Sequence, residues 1–160
     1  MPKKSTKQPS RPAPAAVLNR RARFDYELQD NILAGMVLSG AQVRAVRDNR
    51  VHLKGAFVVI RGSELWLQNA SFSLKNGGNG DENVIDTSPV KLLVQKKQVK
   101  ELLRAKQDGF TIVPTKILSG RRFIKVEIAI GRGKKLYDKR ETIKRRESDR
   151  DARRQMKGSV

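Results

Sequence analysis

The sequence predicts an all-β fold with inserted helices, closed as a small antiparallel barrel. Six β-rich runs lie between residues 24 and 130, and a helical segment falls late among them. Closure into a barrel pairs the strand edges that such a chain would otherwise expose. The length of 160 residues suits one core with tails rather than two separate cores.

The first strand run covers residues 24–38, where apolar side chains fill most even positions and polar ones most odd positions in its first half. Alternation with a period of two predicts a long strand, with Gly35 as a candidate site for a bulge or bend. Val43 and Val46 then have helical spacing, so a short helix is predicted over residues 41–48.

The remaining strand runs are short and rich in β-branched or aromatic residues. Residues 55–61 and 64–69 are separated by Gly62-Ser63, which predicts a hairpin. Three further strands are predicted at residues 90–94, 110–118 and 122–130.

Two segments interrupt the strands. Residues 95–108 repeat their apolar side chains at helical spacing and precede Gly109, which predicts a helix with a glycine C-cap. Residues 76–89 are rich in Gly, Asn and Asp and predict a long loop. The order of these elements alone fits an oligonucleotide-binding barrel, an SH3-like barrel or a split sheet, and barrels of these kinds serve many functions.

Charge is the main functional signal. Lys and Arg number 35 against 16 Asp and Glu, a formal net charge of +19. Such a charge on a small body favours a polyanionic partner such as RNA. The ends carry most of the excess, because residues 1–23 hold 7 basic and no acidic residues and residues 131–160 hold 12 and 5.

Few residues could support catalysis. The chain has no cysteine, which excludes disulfides and Cys-ligated zinc. Its one histidine, His52, has no carboxylate or second histidine near it in sequence and is interpreted as a surface or structural residue. Residues 131–135 lack the Ser or Thr that follows the lysine of a phosphate loop. We expect no catalytic residue, metal or cofactor; an RNA nuclease is the alternative that this composition supports least.

No apolar run approaches the roughly 18 residues that cross a bilayer, and the N-terminus lacks the apolar stretch of a secretory signal. We therefore expect a soluble, cytoplasmic protein without membrane contact. Four of the six prolines fall within residues 1–18, which predicts a disordered basic arm rather than an amphipathic helix.

The two basic ends differ in sequence. Asn19 and the arginines after it immediately precede the first strand run, so we expect anchored side chains that contact phosphate or base. Residues 131–157 are rich in helix formers, and the spacing of Asp138 and Glu141 predicts a helix that starts near Asp138. Its apolar positions are too few to dock on a core. We expect a tail that is disordered when free and helical on RNA; the alternative is a solvated charged helix.

From about Asn19 to Lys157 the sequence resembles the SsrA-binding protein family, SmpB. The element GKKxxDKR, at residues 133–140, is highly specific to this family. The blocks that carry the resemblance, in the family's order and spacing, are NRRARFDY (19–26), AGMVLSGAQVRAVR (34–47), KLLV (91–94), GFTIVP (109–114) and KVEIAIGRGKKLYDKR (125–140).

The resemblance implies a six-stranded antiparallel OB-type barrel (oligonucleotide-binding type) with inserted helices and a conditional C-terminal helix. It implies binding to the tRNA-like part of transfer-messenger RNA (tmRNA) and delivery of aminoacylated tmRNA to stalled ribosomes in trans-translation. The implied partners are tmRNA, the ribosome at its small-subunit RNA, decoding site and empty mRNA channel, and indirectly the aminoacyl-tRNA elongation factor. The protein is expected to be a monomer. A basic ribosomal protein or assembly factor is the alternative.

The resemblance also assigns site residues and boundaries. Implied tmRNA contacts are Asn19, Arg20, Arg21, Arg23 and Leu93. Implied ribosome contacts are Gly133, Lys134, Lys135, Tyr137, Asp138, Lys139, Arg140, Lys144 and Arg145. The chain would divide into an arm (1–18), a barrel (19–132) and a tail (133–160). It departs from the family pattern at Phe24, Leu33, Gln42 and residues 87–90.

Overall fold

The computed structural model describes residues 15–75 and 83–157. Within these ranges the strands are β1 (Ala15–Leu18), β2 (Tyr26–Met36), β3 (Val51–His52), β4 (Phe57–Arg61), β5 (Glu64–Gln68), β6 (Ser71–Lys75), β7 (Asn83–Asp86), β8 (Val90–Leu93), β9 (Thr111–Ser119) and β10 (Ile124–Gly133). The helices are α1 (Arg20–Asp25), α2 (Gly40–Arg47), α3 (Lys96–Gln107) and α4 (Leu136–Lys157).

Six strands form a closed ring in the order β9, β10, β2, β8, β5 and β4, and β4 pairs with β9 to complete it. All these pairings are antiparallel. β1 adds to the free part of the β9 edge, and β3, β6 and β7 form a second, three-stranded sheet. The six ring strands are the six runs expected from the sequence, so the prediction of a mostly β chain with inserted helices is confirmed.

The core lies inside the ring and beneath α2 and α3. Val99 and Leu102 place one face of α3 against it. The largest fully buried side chains among the described residues are apolar and come from several ring strands, from β6 and from both helices: Phe72, Leu65, Leu67, Leu102, Ile112, Ile117, Ile128, Val46, Val113, Val126 and Pro114. Burial of this apolar surface is the main force that holds the ring together.

The two internal helices and the hairpin that the sequence predicted are confirmed. At the start of α2, Ser39 and Gln42 form a reciprocal capping box that the sequence analysis did not identify. Gly109 follows α3 with a φ of 83°, a left-handed conformation that glycine adopts readily. Gly62 turns the β4–β5 hairpin with a φ of 61°.

The start of the first strand was predicted wrongly. Residues 24 and 25 end α1, and β2 begins at Tyr26. Phe24 matched the alternation of the strand by coincidence, whereas the cap at Asn19 fixes a helix there. The register of β2 against β10 shifts between two pairs, Ala129 with Asn31 and Gly131 with Leu28. The bulge or bend was expected at Gly35 instead.

The segment predicted as a loop over residues 76–89 contains β7 in its described part, and residues 76–82 lie outside the described residues. β7 exists because it pairs with β6 over four positions, a contact that an isolated four-residue run does not reveal. Residues 15–18 were expected in the disordered arm but form β1, because they pair with residues 116–119 of β9. The rest of the predicted arm, residues 1–14, lies outside the described residues.

Candidate nucleic-acid interface

Asn19 builds the first part of the interface by holding α1 in place. Its side-chain Nδ2 donates hydrogen bonds to the carbonyl oxygens of Leu53, at 3.0 Å, and Pro114, at 2.8 Å. Its Oδ1 accepts from the amide of Ala22 at 3.2 Å. Only 7% of the residue is exposed. The side chain of Asn19 thus anchors the start of α1, and the direct RNA contact that the resemblance implies stays a prediction.

Replacing Asn19 by Ala is expected to lower the free energy of unfolding by about 2 kcal/mol, roughly 5 °C in melting temperature, because two buried carbonyls and a helix cap lose their partner. Asn19→Asp keeps the capping oxygen but turns a carboxylate toward the same carbonyls, so it should destabilise as well. Thermal unfolding measures both. Asn31→Ala, at an exposed asparagine of β2, is the control. An unchanged melting temperature with weakened RNA binding would instead support a direct contact.

The three arginines of α1 are exposed. Arg21 is engaged within the protein: its Nε donates to Asp25 Oδ2 at 2.8 Å, and its guanidinium lies 5.6 Å from the centre of the Phe24 ring. Arg20 and Arg23 belong to no ion pair among the described residues. The two uncommitted arginines are thus available to an anionic ligand.

Arg23 and Lys134 line a cleft of about 350 Å³ between the start of β2 and β10. The ammonium of Lys134 lies 3.4 Å from the carbonyl oxygen of Arg23 and donates to it. Glu127, also in this cleft, forms an ion pair with Lys116 at 2.8 Å. The contact from Lys116 and a hydrogen bond from Thr115 lower the pKa of Glu127 despite its partial burial. This carboxylate is already paired with Lys116, and it forms an ion pair with neither Arg23 nor Lys134.

α4 contacts α1 through charged and aromatic groups. Lys139 Nζ lies 3.0 Å from Asp25 Oδ1, and the Arg146 guanidinium lies 5.8 Å from the centre of the Phe24 ring, which Arg21 also contacts. The amide of Lys134 donates to the Asp25 carbonyl at 2.9 Å. These contacts place the arginines of α1 next to the first turns of α4. An ion pair, a hydrogen bond and a cation–π contact hold the two helices together, although α4 has no wide apolar face.

The helix of the tail begins earlier than predicted. α4 starts at Leu136, and Asp138 is its third residue, where its Oδ2 accepts from the amide of Lys135 at 3.2 Å. The side chain therefore satisfies an amide ahead of the helix instead of standing at its N-cap, and its negative charge suits the N-terminal end of the helix dipole. Disorder of the free tail stays a prediction.

The other tail residues expected to meet the ribosome are mostly exposed. Tyr137 is 63% exposed, and Lys135, Arg140, Lys144 and Arg145 are exposed as well. A Cβ added at Gly133 would meet no atom within 4 Å, so the surface above this glycine is open to a partner. Lys134 and Lys139 are half-buried because they reach back to α1.

Leu93 is not part of this cluster. It is 54% exposed and pairs with Gly35, near the end of β2 that is remote from α1. Gly35 lies nine positions after Tyr26 along β2, which corresponds to about 30 Å of strand. Leu33, also exposed, lies two residues before Gly35 on the same face of β2. The implied tmRNA residues thus occupy two regions, one basic and one apolar.

Two departures from the family pattern have structural roles that the sequence did not indicate. Phe24 is the ring that Arg21 and Arg146 share. Gln42 is buried and donates from Nε2 to Asp86 Oδ2 at 2.8 Å, which links α2 to β7. An asparagine at position 19 is a common helix N-cap, and this signal in the sequence could have predicted that Phe24 lies in a helix.

Asp25 makes the α1–α4 contact sensitive to acid. Burial acts to raise the pKa of Asp25, but Lys139 and Arg21 outweigh it and lower the pKa below 3.8. A carboxyl with a depressed pKa stabilises the fold above its unfolded-state pKa, and this stabilisation is lost as the pH falls through the folded-state value. Because its partners are partly exposed, the contribution should be under about 1 kcal/mol.

Asp25→Asn is therefore expected to lower the stability near neutral pH and to remove part of its decline below about pH 4. Urea unfolding from about pH 6 to pH 2.5 measures this difference. Asp151→Asn is the matched control, since Asp151 is exposed and lies 4.0 Å from Arg154. If both variants follow the same pH profile, Asp25 does not couple the two helices.

Among the described residues, no group of three or more His, Cys, Asp or Glu is placed to hold a metal ion. The helices in residues 15–75 and 83–157 include none long and apolar enough to cross a membrane.

The closed ring and the exposed cations of α1 and α4 define a class of small, basic, β-rich proteins whose surface suits a polyanion such as a nucleic acid. Within that class, the chain belongs to the SmpB protein family, whose model matches residues 16–158. The resemblance seen in the sequence is thereby confirmed.

Individual relatives agree with this assignment. An SsrA-binding protein of Ligilactobacillus salivarius (strain UCC118) is 42% identical over 147 residues, which cover 89% of this chain and 92% of the relative. An SsrA-binding protein of Streptococcus suis (strain 98HAH33) is 44% identical over 140 residues, which cover 87% and 90%. A solved chain described as "tmRNA-SmpB: a journey to the center of the bacterial ribosome" is similar with a TM-score of 0.62 and 36% identity, over 76% of this chain and 85% of that chain.

Proposed function

We propose that this protein binds the tRNA-like part of tmRNA and delivers aminoacylated tmRNA to stalled ribosomes, where trans-translation tags incomplete proteins. The observation that carries the proposal is membership of the SmpB family over nearly the whole chain. The exposed basic surface supports it physically, because a phosphate backbone is the ligand that such a surface suits. The protein acts by binding and positioning, with no chemical step of its own.

The proposed architecture is an OB-type barrel with a functional tail. The closed ring of six antiparallel strands supports a barrel of this kind. Since β1 pairs with β9, the barrel domain begins at residue 15 rather than 19. Residues 133–160 form the tail, which is disordered when free and becomes helical on the ribosome, an ordering cost that RNA contacts offset.

Two surfaces of the barrel contact tmRNA in this proposal. Arg20, Arg21 and Arg23 engage phosphates from α1, and Asn19 acts through the helix that it caps. Leu93 contacts tmRNA from the outer face of β8, where its exposed side chain can pack on a base or sugar. The roughly 30 Å of strand between these surfaces would let one folded RNA contact both.

The tail residues engage the ribosome. Lys134, Lys135, Lys139, Arg140, Lys144 and Arg145 supply charge for ribosomal RNA in the decoding site and the empty mRNA channel. Gly133 leaves its surface open, Asp138 fixes the start of the helix, and Tyr137 can stack on a base. The elongation factor that carries aminoacyl-tRNA would meet this protein through the shared tmRNA. The protein acts in the cytoplasm, as a monomer.

Sequencing the RNA that co-purifies with the tagged full chain from its own cells tests the proposal. The expected result is strong enrichment of tmRNA over transfer RNA and messenger RNA. Purification at low and high salt separates specific from electrostatic association. Co-purification of ribosomes at high salt without tmRNA would overturn the proposal in favour of a ribosomal protein or assembly factor.

A further inference from the structure

A basic turn lies at the end of the β9–β10 hairpin that is opposite α1 and α4. Residues 120–123 connect the two strands, whereas α4 follows the other end of β10 after Gly133. β10 holds ten residues, so about 30 Å of strand separates the turn from the tail. None of the contacts proposed above includes this turn.

The turn presents an aromatic ring to solvent. Phe123 is 72% exposed, more than any other Phe, Tyr or Trp among the described residues. Its carbonyl oxygen accepts from the amide of Gly120 at 3.1 Å, and a Cβ on Gly120 would lie 2.7 Å from that oxygen. Ile124, which follows, is buried in the core. The ring is thus exposed on a tight, anchored turn and not on a loose loop.

Arginines lie in the turn and beside it. Arg121 and Arg122 are exposed in the turn, and Nη2 of Arg47, at the end of α2, donates to the Arg121 carbonyl at 3.4 Å. No carboxylate in residues 15–75 or 83–157 forms an ion pair with any of these three arginines. We call Arg47, Arg121, Arg122 and Phe123 the turn patch.

The N-terminal strand reaches the same end of the hairpin. β1 begins at Ala15, which pairs with Ser119, the residue before Gly120. The three arginines of the turn patch make the local charge around Phe123 positive.

We propose that the turn patch is a further RNA-binding site, which holds the phosphates of an RNA strand on its arginines and stacks one unpaired base on Phe123. Arginine is suited to bidentate contact with phosphate, and an aromatic face accepts any base. A single exposed ring on a tight turn offers too little apolar surface for a lipid bilayer or a protein interface. This inference takes from the proposed function only the expectation that the partner is an RNA.

The same chemistry can come from tmRNA or from ribosomal RNA. Both contain single-stranded segments whose bases can leave the stack. The distance between the turn patch and α4 means that an RNA held there lies well apart from one held by the tail. The turn patch would extend the footprint of whichever RNA it contacts.

Four variants of the full chain test the site. Phe123→Ala removes the stacking face and Phe123→Trp retains it. Arg121→Gln with Arg122→Gln removes two charges. Ile85→Ala is the matched control for the loss of an exposed apolar side chain, since Ile85 is 66% exposed on β7. Thermal unfolding confirms that each variant is folded.

Affinities are measured for tmRNA, for ribosomes stalled without message, and for a single-stranded RNA oligonucleotide. Phe123→Ala should weaken binding to tmRNA or to ribosomes about tenfold, the effect of one lost stacked base. The double arginine variant should weaken it further and reduce the dependence of affinity on salt, whereas Phe123→Trp and Ile85→Ala should bind like the unmodified chain. The RNA that responds identifies the source.

Unchanged affinity of Phe123→Ala and of the double arginine variant for all three RNAs would overturn the inference while leaving the proposed function intact. If the unmodified chain does not bind tmRNA, but the oligonucleotide still responds to Phe123→Ala, the proposed function fails and the turn patch stands. If Phe123→Ala weakened binding only to vesicles of phosphatidylglycerol and left binding to RNA unchanged, the inference of an RNA-binding site would also be overturned.

Discussion

Removal of residues 138–160 is expected to abolish peptide tagging on stalled ribosomes, while tmRNA affinity falls by no more than about threefold. The deletion takes away most of α4, with Lys139, Arg140, Lys144 and Arg145, but leaves the ring and α1 in place. Tagging of a reporter translated from a message without a stop codon measures the first effect. Filter binding to tmRNA measures the second.

A chain that ends at Lys157 is the matched control, because it lacks only the last three residues and should tag normally. The small loss of tmRNA affinity is expected because Lys139 and Arg146 support α1 through Asp25 and Phe24. Equal loss of tagging and of tmRNA binding would contradict a division of labour between the barrel and the tail.

Replacing Arg20 and Arg23 together by Ala is expected to weaken tmRNA binding by about 100-fold at moderate salt and to reduce the salt slope by about two. Neither arginine forms an ion pair among the described residues, so both are free to meet phosphate. Arg21→Ala should have a smaller effect on the slope, because its guanidinium already pairs with Asp25 at 2.8 Å. Titrations at several salt concentrations measure both quantities.

The control removes equal charge elsewhere: Arg104→Ala with Lys106→Ala on α3 should leave tmRNA affinity within about twofold at the same salt. If that control weakens binding as much as the pair on α1, only the net charge matters and α1 is not a specific contact. A salt slope unchanged in the Arg20 and Arg23 variant would likewise remove them from the phosphate contacts.

The fold was largely predictable because the ring strands carry their own local signals. Alternation, β-branched residues and the Gly62 turn identified all six. The strands that the sequence missed depend on partners instead. β3 has two residues, and β7 forms only against β6. Local patterns cannot indicate such strands, since their stability comes from pairing with distant residues.

The site was less predictable than the fold, for the same reason. The amide of Asn19 is satisfied by carbonyls 34 and 95 residues away, so its burial is invisible in a local window. The contact between Asp25 and Lys139 joins residues on different helices more than a hundred positions apart. The sequence identified where the basic residues cluster, but not which of them the fold had already engaged.

The strand pairing that closes the ring is the shortest of its six pairings. β4 meets β9 at a single residue pair, Val58 with Ile112, whereas the other neighbours in the ring pair over two to eight positions. Both side chains are nearly fully buried, so apolar packing, rather than a ladder of backbone hydrogen bonds, holds β4 against β9. Local opening of the ring should therefore begin between these two strands. Backbone amides next to Val58 and Ile112 should exchange with solvent before those that pair β9 with β10.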